Sequence, residues 1–360
     1  MRTCPRLIAC ALLLLVAGFA LPARAAEPGI TWREGSVEQA LNDARDRNTL
    51  VLLDVFATWC GPCQKLDAET FNTEVAAAAV RELVTIRVDA EAGEGPAVAE
   101  RFKAIAFPSV ILLRPDGSEV DRIVGFVDAE DFARQIQNFV AGRETYDALL
   151  ARQAASPDDL ELTMQAGERA ALRGDAATAE RLLLRAIGTT PPGSDRHIEA
   201  RTLLGRYVYL RTTRRFDAAI EQFAEIERQR PDTREATTAA IDTFIAHSRA
   251  GSADAAQQTF DRIVGAGPAL DAGRVNSIAW ACFRARTAMP RAIALAEQTL
   301  ATTPDDGLWD TLAELRAASG DPAGAVAASR EALALKPADP YYTQQLARFS
   351  SLADQASGPR

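Results

Sequence analysis

Two histidines and five cysteines are all the nitrogen and sulfur ligands of their kind in this 360-residue chain, and only three of its forty basic residues are lysines. Acids outnumber bases, 49 to 40, leaving a net charge of −9. Composition therefore offers no basic face for nucleic acid. Arginine in place of lysine is a compositional habit without functional weight. A second long apolar run is also missing: beyond residue 25 nothing reaches the roughly 18 residues that a membrane span requires. No glycine-rich phosphate cradle occurs. Disorder is excluded as well, since 48% of residues are hydrophobic and 25% charged.

The first 25 residues read as a signal peptide. Arg2 and Arg6 precede an apolar run from Leu7 to Leu21, and Ala23-Arg24-Ala25 supplies the small-x-small cleavage pattern. Cleavage after Ala25 is expected, which makes the mature protein periplasmic. Cys10 stands ahead of most of the apolar run, so lipid attachment there is not expected. Cleavage removes three arginines, taking the charge from −9 to −12, and leaves Cys60, Cys63 and Cys282. That is too few for a disulfide-dense scaffold.

Strand-like and helix-like segments alternate over the next hundred residues. Ser36 to Arg47 has helical spacing, with Gln39 placed to complete a capping box. Thr49 to Phe56 is a nearly unbroken apolar run, the mark of a buried strand. A helix is expected to begin at Cys60. Val84 to Val88 and Ser109 to Leu113 read as strands, and Pro115-Asp116-Gly117 as the turn into a hairpin partner, Val120 to Val124. Asp128 to Val140 closes the unit as a helix. The pattern predicts an α/β domain over residues 27–143 and a linker over 144–157.

Beyond the linker, strand signals stop. Ala179, Ala219, Ala256, Ala292 and Ala325 each precede a proline by twelve positions: Pro191, Pro231, Pro268, Pro304 and Pro337. A small residue lets two helices approach closely, and proline ends the second of them. These units, over residues 158–356, resemble tetratricopeptide repeats. Trp309, Leu312, Ala313, Ala325, Ala332 and Pro337 carry the last one, and Tyr341 to Ala356 is expected to cap the stack.

Cys60 and Cys63 lie in FATWCGPCQK. Zinc needs two further ligands, and the only others, Cys282, His197 and His247, have no paired spacing. A disulfide closing so small a loop contributes little stability. Redox exchange remains: it needs one thiolate at a helix N-terminus, where free N–H groups lower its pKa, and a second thiol one turn inside. The order strand–Trp59–Cys60–helix predicts an exposed Cys60 and a partly buried Cys63.

Here the chain resembles the thioredoxin superfamily. Trp59 to Cys63 matches the family's WCGPC entirely, Asp54 its buried acid, and Phe107-Pro108-Ser109 its cis-proline loop. The resemblance implies a redox-active Cys60–Cys63 disulfide with Asp54 as proton acceptor for the resolving thiol. It also implies substrate contact through Trp59, Gly61, Pro62, Phe107 and Pro108. LDVFATWCGPCQKLDAETFNTEV, with Glu69-Thr70-Phe71 and no proline between Cys63 and Phe71, is more specifically similar to the C-terminal domain of the DsbD family. That likeness implies a thiol–disulfide oxidoreductase poised toward the reducing end, about −270 mV. Gly61-Pro62 offers no extra cation to stabilise the thiolate. The implied partners are disulfide-containing exported client proteins, a membrane or periplasmic thiol reductant, and a protein or peptide bound by the repeats. No cofactor or metal is implied.

The rival classes are a redox-inert interaction scaffold and a metallochaperone serving cytochrome maturation, the latter weakened by the lack of Met or His beside Cys60. Cys282, in NSIAWACF, is expected to be a buried free thiol, and His197 and His247 surface residues.

Overall fold

A computed structural model describes residues 29–265 and 270–357. The expected signal peptide, with Cys4, Cys10 and its cleavage site, and Pro268 lie outside the described residues. The first domain runs α1 (Val37–Arg47), β1 (Val51–Phe56), α2 (Gly61–Leu66), α3 (Glu74–Val80), β2 (Val84–Asp89), α4 (Gly95–Arg101), β3 (Ser109–Leu113), β4 (Glu119–Val124) and α5 (Ala129–Val140). Ser36 and Gln39 close the capping box at α1. The sheet order is β2-β1-β3-β4, with β1 and β2 parallel and the other two pairs antiparallel. Both faces of β1 are covered, which is why its sequence is apolar almost throughout. Val51, Leu53 and Val55 pack with α1 and α4, while Leu52 joins Leu66, Phe71 and Phe132 on the opposite side.

No proline interrupts the helix after the cysteines. A π-helical segment, Asp67–Phe71, follows α2 directly and re-aims the chain there.

Residues 144–157, read above as a linker, instead hold a helix, α6 (Tyr146–Ala155), capped by Thr145. It ties the two domains together. The buried Asp121 of β4 accepts from the Tyr146 N–H at 2.6 Å and from the Arg169 guanidinium. Arg173 adds an ion pair to Glu119 at 2.9 Å. A sequence pattern reports propensity within α6 but not these contacts with β4.

The second domain is an all-α solenoid of tetratricopeptide-type helix pairs. They are α7 (Leu160–Leu172) with α8 (Ala176–Thr189), α9 (Asp195–Leu203) with α10 (Phe216–Gln229), and α11 (Arg234–Arg249) with α12 (Ala253–Gly265). Then come α13 (Ala272–Ala285) with α14 (Met289–Leu300), α15 (Asp306–Ala318) with α16 (Pro322–Leu335), and the terminal α17 (Pro340–Ser357). A π-helical segment, Leu204–Thr212, extends α9. All five register alanines are fully buried between helices. Gly205 performs the same service more strictly: a Cβ there would lie 2.7 Å from the Phe223 ring.

His197, expected at the surface, is buried: its ring bonds Thr190 Oγ1 at 3.1 Å and accepts from Arg201 Nε at 2.9 Å. Cys282 is a buried free thiol, pushed up to about 12 by burial. Among the described residues no helix is long and apolar enough to cross a membrane.

Candidate active site

Alternation along β1 decides what the cysteines meet from behind. Asp54 shares the parity of Leu52, so its side chain leaves the sheet on the side of Leu66 and Phe71. The chain leaves β1 at Phe56, turns through Trp59 and enters α2 with Cys60 as N-cap and a proline in the first turn. Cys60 Sγ accepts the Cys63 N–H at 3.2 Å, and the two sulfurs form a disulfide with Cα atoms 5.2 Å apart. In the reduced protein the same N–H faces Cys60 and favours its thiolate.

Asp54 is 1% exposed. Parallel register sets it opposite Arg87, whose Nε donates to Asp54 Oδ2 at 3.0 Å while its Nη1 pairs with Asp67 at 2.8 Å. The guanidinium lies 4.4 Å from the Phe56 ring centroid. Among the described residues, Asp54 Oδ1 has no hydrogen-bond partner. Burial pushes the carboxyl up to about 7; Arg87 opposes that shift and Asp67 adds to it. An acid poised there exchanges protons readily at neutral pH. Arg87 was missed from sequence, although a lone arginine in the strand VTIRVD signals a specific partner.

Across from the cysteines, the Phe107–Pro108 peptide bond is cis, and the Phe107 ring meets Trp59 edge-on at 6.1 Å. The sequence-predicted residues Trp59, Cys60, Gly61, Pro62 and Phe107 all line one cleft of about 400 Å³. Asp54 and Cys63 are buried behind it.

The other wall of that cleft comes from the repeat domain. Trp280 and Phe283 of α13 stand 5.7 and 6.4 Å from the Trp59 ring. The Arg284 guanidinium sits 4.0 Å over the same ring. Tyr341 of α17 brings its hydroxyl within 3.8 Å of where a Cβ on Gly61 would be. One expectation is corrected here. Cys60 is not exposed; it is 3% accessible, in an apolar cluster that Phe283 and Trp280 of the repeat domain share. Gly61-Pro62 itself supplies no cation, but Arg211, Arg249 and Arg284 reach the cleft from the repeats. None of these partners carries a local sequence signal, because each faces the cysteines only through domain packing.

Residues 37–139 match the family described as the thioredoxin-like domain. Thioredoxin of Chlamydia caviae is 38% identical over 89 residues, covering 24% of this chain and 79% of that protein. The thiol:disulfide interchange protein DsbD of Pseudomonas fluorescens is 32% identical over 103 residues, covering 28% of this chain but only 18% of that protein. Among solved structures, a tetratricopeptide repeat protein of Thermus thermophilus aligns with a TM-score of 0.37 at 20% identity, over 54% of this chain and 98% of that one.

Proposed function

Because the chain belongs to the thioredoxin family through residues 37–139 and is a thiol–disulfide oxidoreductase, we propose that it is exported and acts on disulfides of periplasmic client proteins. In this reading it reduces or isomerises them, and the repeat domain holds the client. The observation that carries the reading is the Cys60–Cys63 disulfide, whose Cys60 lines a cleft with the solenoid as its opposite wall.

The chemistry follows from the positions. In the reduced protein the Cys60 thiolate attacks one sulfur of a client disulfide, forming a mixed disulfide and expelling a client thiolate that takes up a proton. Cys63 gives its proton to the Asp54 carboxylate and attacks Cys60 Sγ. The second client thiolate leaves, the Cys60–Cys63 disulfide closes, and two electrons have passed to the client. Trp59, Gly61, Pro62, Phe107 and the cis-Pro108 loop hold the client backbone during the exchange. A membrane or periplasmic thiol reductant restores the dithiol. The arginines in the cleft favour the thiolate form of Cys60 and raise the potential relative to a site without them.

A test is turnover of a small disulfide with a thiol reductant as electron source. The wild-type chain should turn over, Cys60→Ser should not, and Cys63→Ala should accumulate the mixed disulfide. A reduced wild-type protein that exchanges with no disulfide would leave the second reading, a redox-inert scaffold. That reading draws support from one observation, the burial of Cys60 in an apolar cluster shared with the repeat domain.

A further inference from the structure

The cleft beside the cysteines is positive in a protein that is otherwise acidic. Its lining includes Arg206, Arg211, Arg249 and Arg284 against a single acid, Asp242. That acid is already taken: Arg206 donates to Asp242 Oδ2 through Nε at 2.9 Å and Nη2 at 2.6 Å. Among the described residues, Arg211, Arg249 and Arg284 form no ion pair. Arg211 donates only to the Ile105 carbonyl at 3.3 Å, and Arg284 rests on the Trp59 ring. Other arginines of the repeats do find acids across the helix pairs, as Arg215 does with Glu180 and Arg262 with Glu227. Burial lowers the pKa of all three guanidiniums, and like charge adds to it: Arg206 on Arg211, Arg211 on Arg249, and Arg211 with Arg249 on Arg284. Such an arrangement costs stability unless an anion enters.

We propose that this cleft selects client disulfides borne on acidic, extended polypeptide segments, with Arg211, Arg249 and Arg284 receiving carboxylates that flank the client cysteine. The proposal rests on the oxidoreductase reading above and adds the class of client. A cavity of about 400 Å³ closed on one side by α13 accommodates a segment of chain, not a folded surface. Trp59 and Trp280 supply apolar contact area for that segment, and the guanidiniums supply the selection. The chain as a whole carries a net charge of −9, so these guanidiniums form a positive opening beside the cysteines on an acidic molecule.

The test uses the intact, oxidised chain, in which no thiol chemistry can occur. Three fluorescein-labelled peptides of matched length and without cysteine, rich in glutamate, lysine or serine, are titrated by fluorescence anisotropy. The glutamate peptide should bind about tenfold more tightly than the serine peptide at low salt, and lose that advantage as salt rises. Arg249→Gln should weaken the glutamate peptide about threefold, and adding Arg211→Gln should weaken it further, with the serine peptide unmoved. Arg249 is exposed and forms no ion pair among the described residues, so that variant keeps its fold, which circular dichroism verifies. Equal binding of the three peptides, or an acidic preference that survives both substitutions, overturns the proposal. Reduction of a small uncharged disulfide is measured in parallel. Its absence with acidic binding intact overturns the oxidoreductase reading alone; its presence with no acidic preference overturns this inference alone.

Discussion

Asp54→Asn should abolish the pH dependence that one buried carboxyl imposes on stability. Asp54 is sealed beneath the site, with one oxygen on Arg87 and the other without a partner among the described residues. Its folded pKa is about 7 against an ordinary 3.8. The fold therefore holds this proton more tightly than the unfolded chain does. As pH rises from about 4 the unfolded state ionises first, so stability falls, and the full penalty is present above the folded value. At 1.36 kcal/mol per pKa unit the difference amounts to about 4 kcal/mol. Asparagine has the shape of the protonated acid and cannot ionise. Arg87 keeps its second partner, Asp67, in the variant. The stability difference between variant and wild type should thus be small near pH 4 and grow to about 4 kcal/mol in favour of the variant by pH 8. Other carboxyls that burial pushes up, Glu314 to about 7 and Asp310 to about 6, titrate in both proteins and cancel. Urea unfolding of the oxidised proteins at several pH values measures the difference. A gap that stays flat within about 1 kcal/mol across this range refutes the assignment of a strained, proton-binding Asp54. The same variant should reduce disulfides more slowly if Asp54 takes the Cys63 proton as proposed; an unchanged rate counts against that role.

Three further outcomes follow from the packing. Trp280→Ala removes the aromatic plate over Trp59, so iodoacetamide should alkylate Cys60 of the reduced protein severalfold faster; an unchanged rate would mean that the solenoid does not shield the thiol. Asp121→Ala strips the acceptor that serves Tyr146, Arg169 and Arg173 at the domain junction. It should cost about 3–5 kcal/mol and split thermal unfolding into two transitions, where a single unshifted transition would count against the junction. Gly205→Ala drives a methyl to 2.7 Å from the Phe223 ring and should cost about 1–3 kcal/mol in chemical denaturation. Gly188→Ala, whose Cβ meets open space, should be near neutral.

Several features were legible without coordinates because each is decided within one turn or one repeat. The Ser36–Gln39 capping box closes over three residues, the Cys60 cap over three, and the register alanines repeat at the spacing of a helix pair. The apolar run over β1 reports that both of its faces are covered, whatever covers them. The helix at Tyr146–Ala155 was misjudged as a linker because its contacts lie on β4, and His197 as a surface residue because its partners lie across a helix pair. The redox site itself divides the same way. WCGPC, Asp54 and Phe107-Pro108 are sequence-local, and their identities announce thiol exchange. The accessibility of Cys60 and the charge around it are long-range quantities. They depend on Trp280, Arg284 and Tyr341, which local hydrogen bonding and periodicity place on helices but cannot aim at a cysteine more than two hundred residues away. Burial and electrostatic potential sum over everything nearby in space, so only the docking of the solenoid onto the first domain decides them.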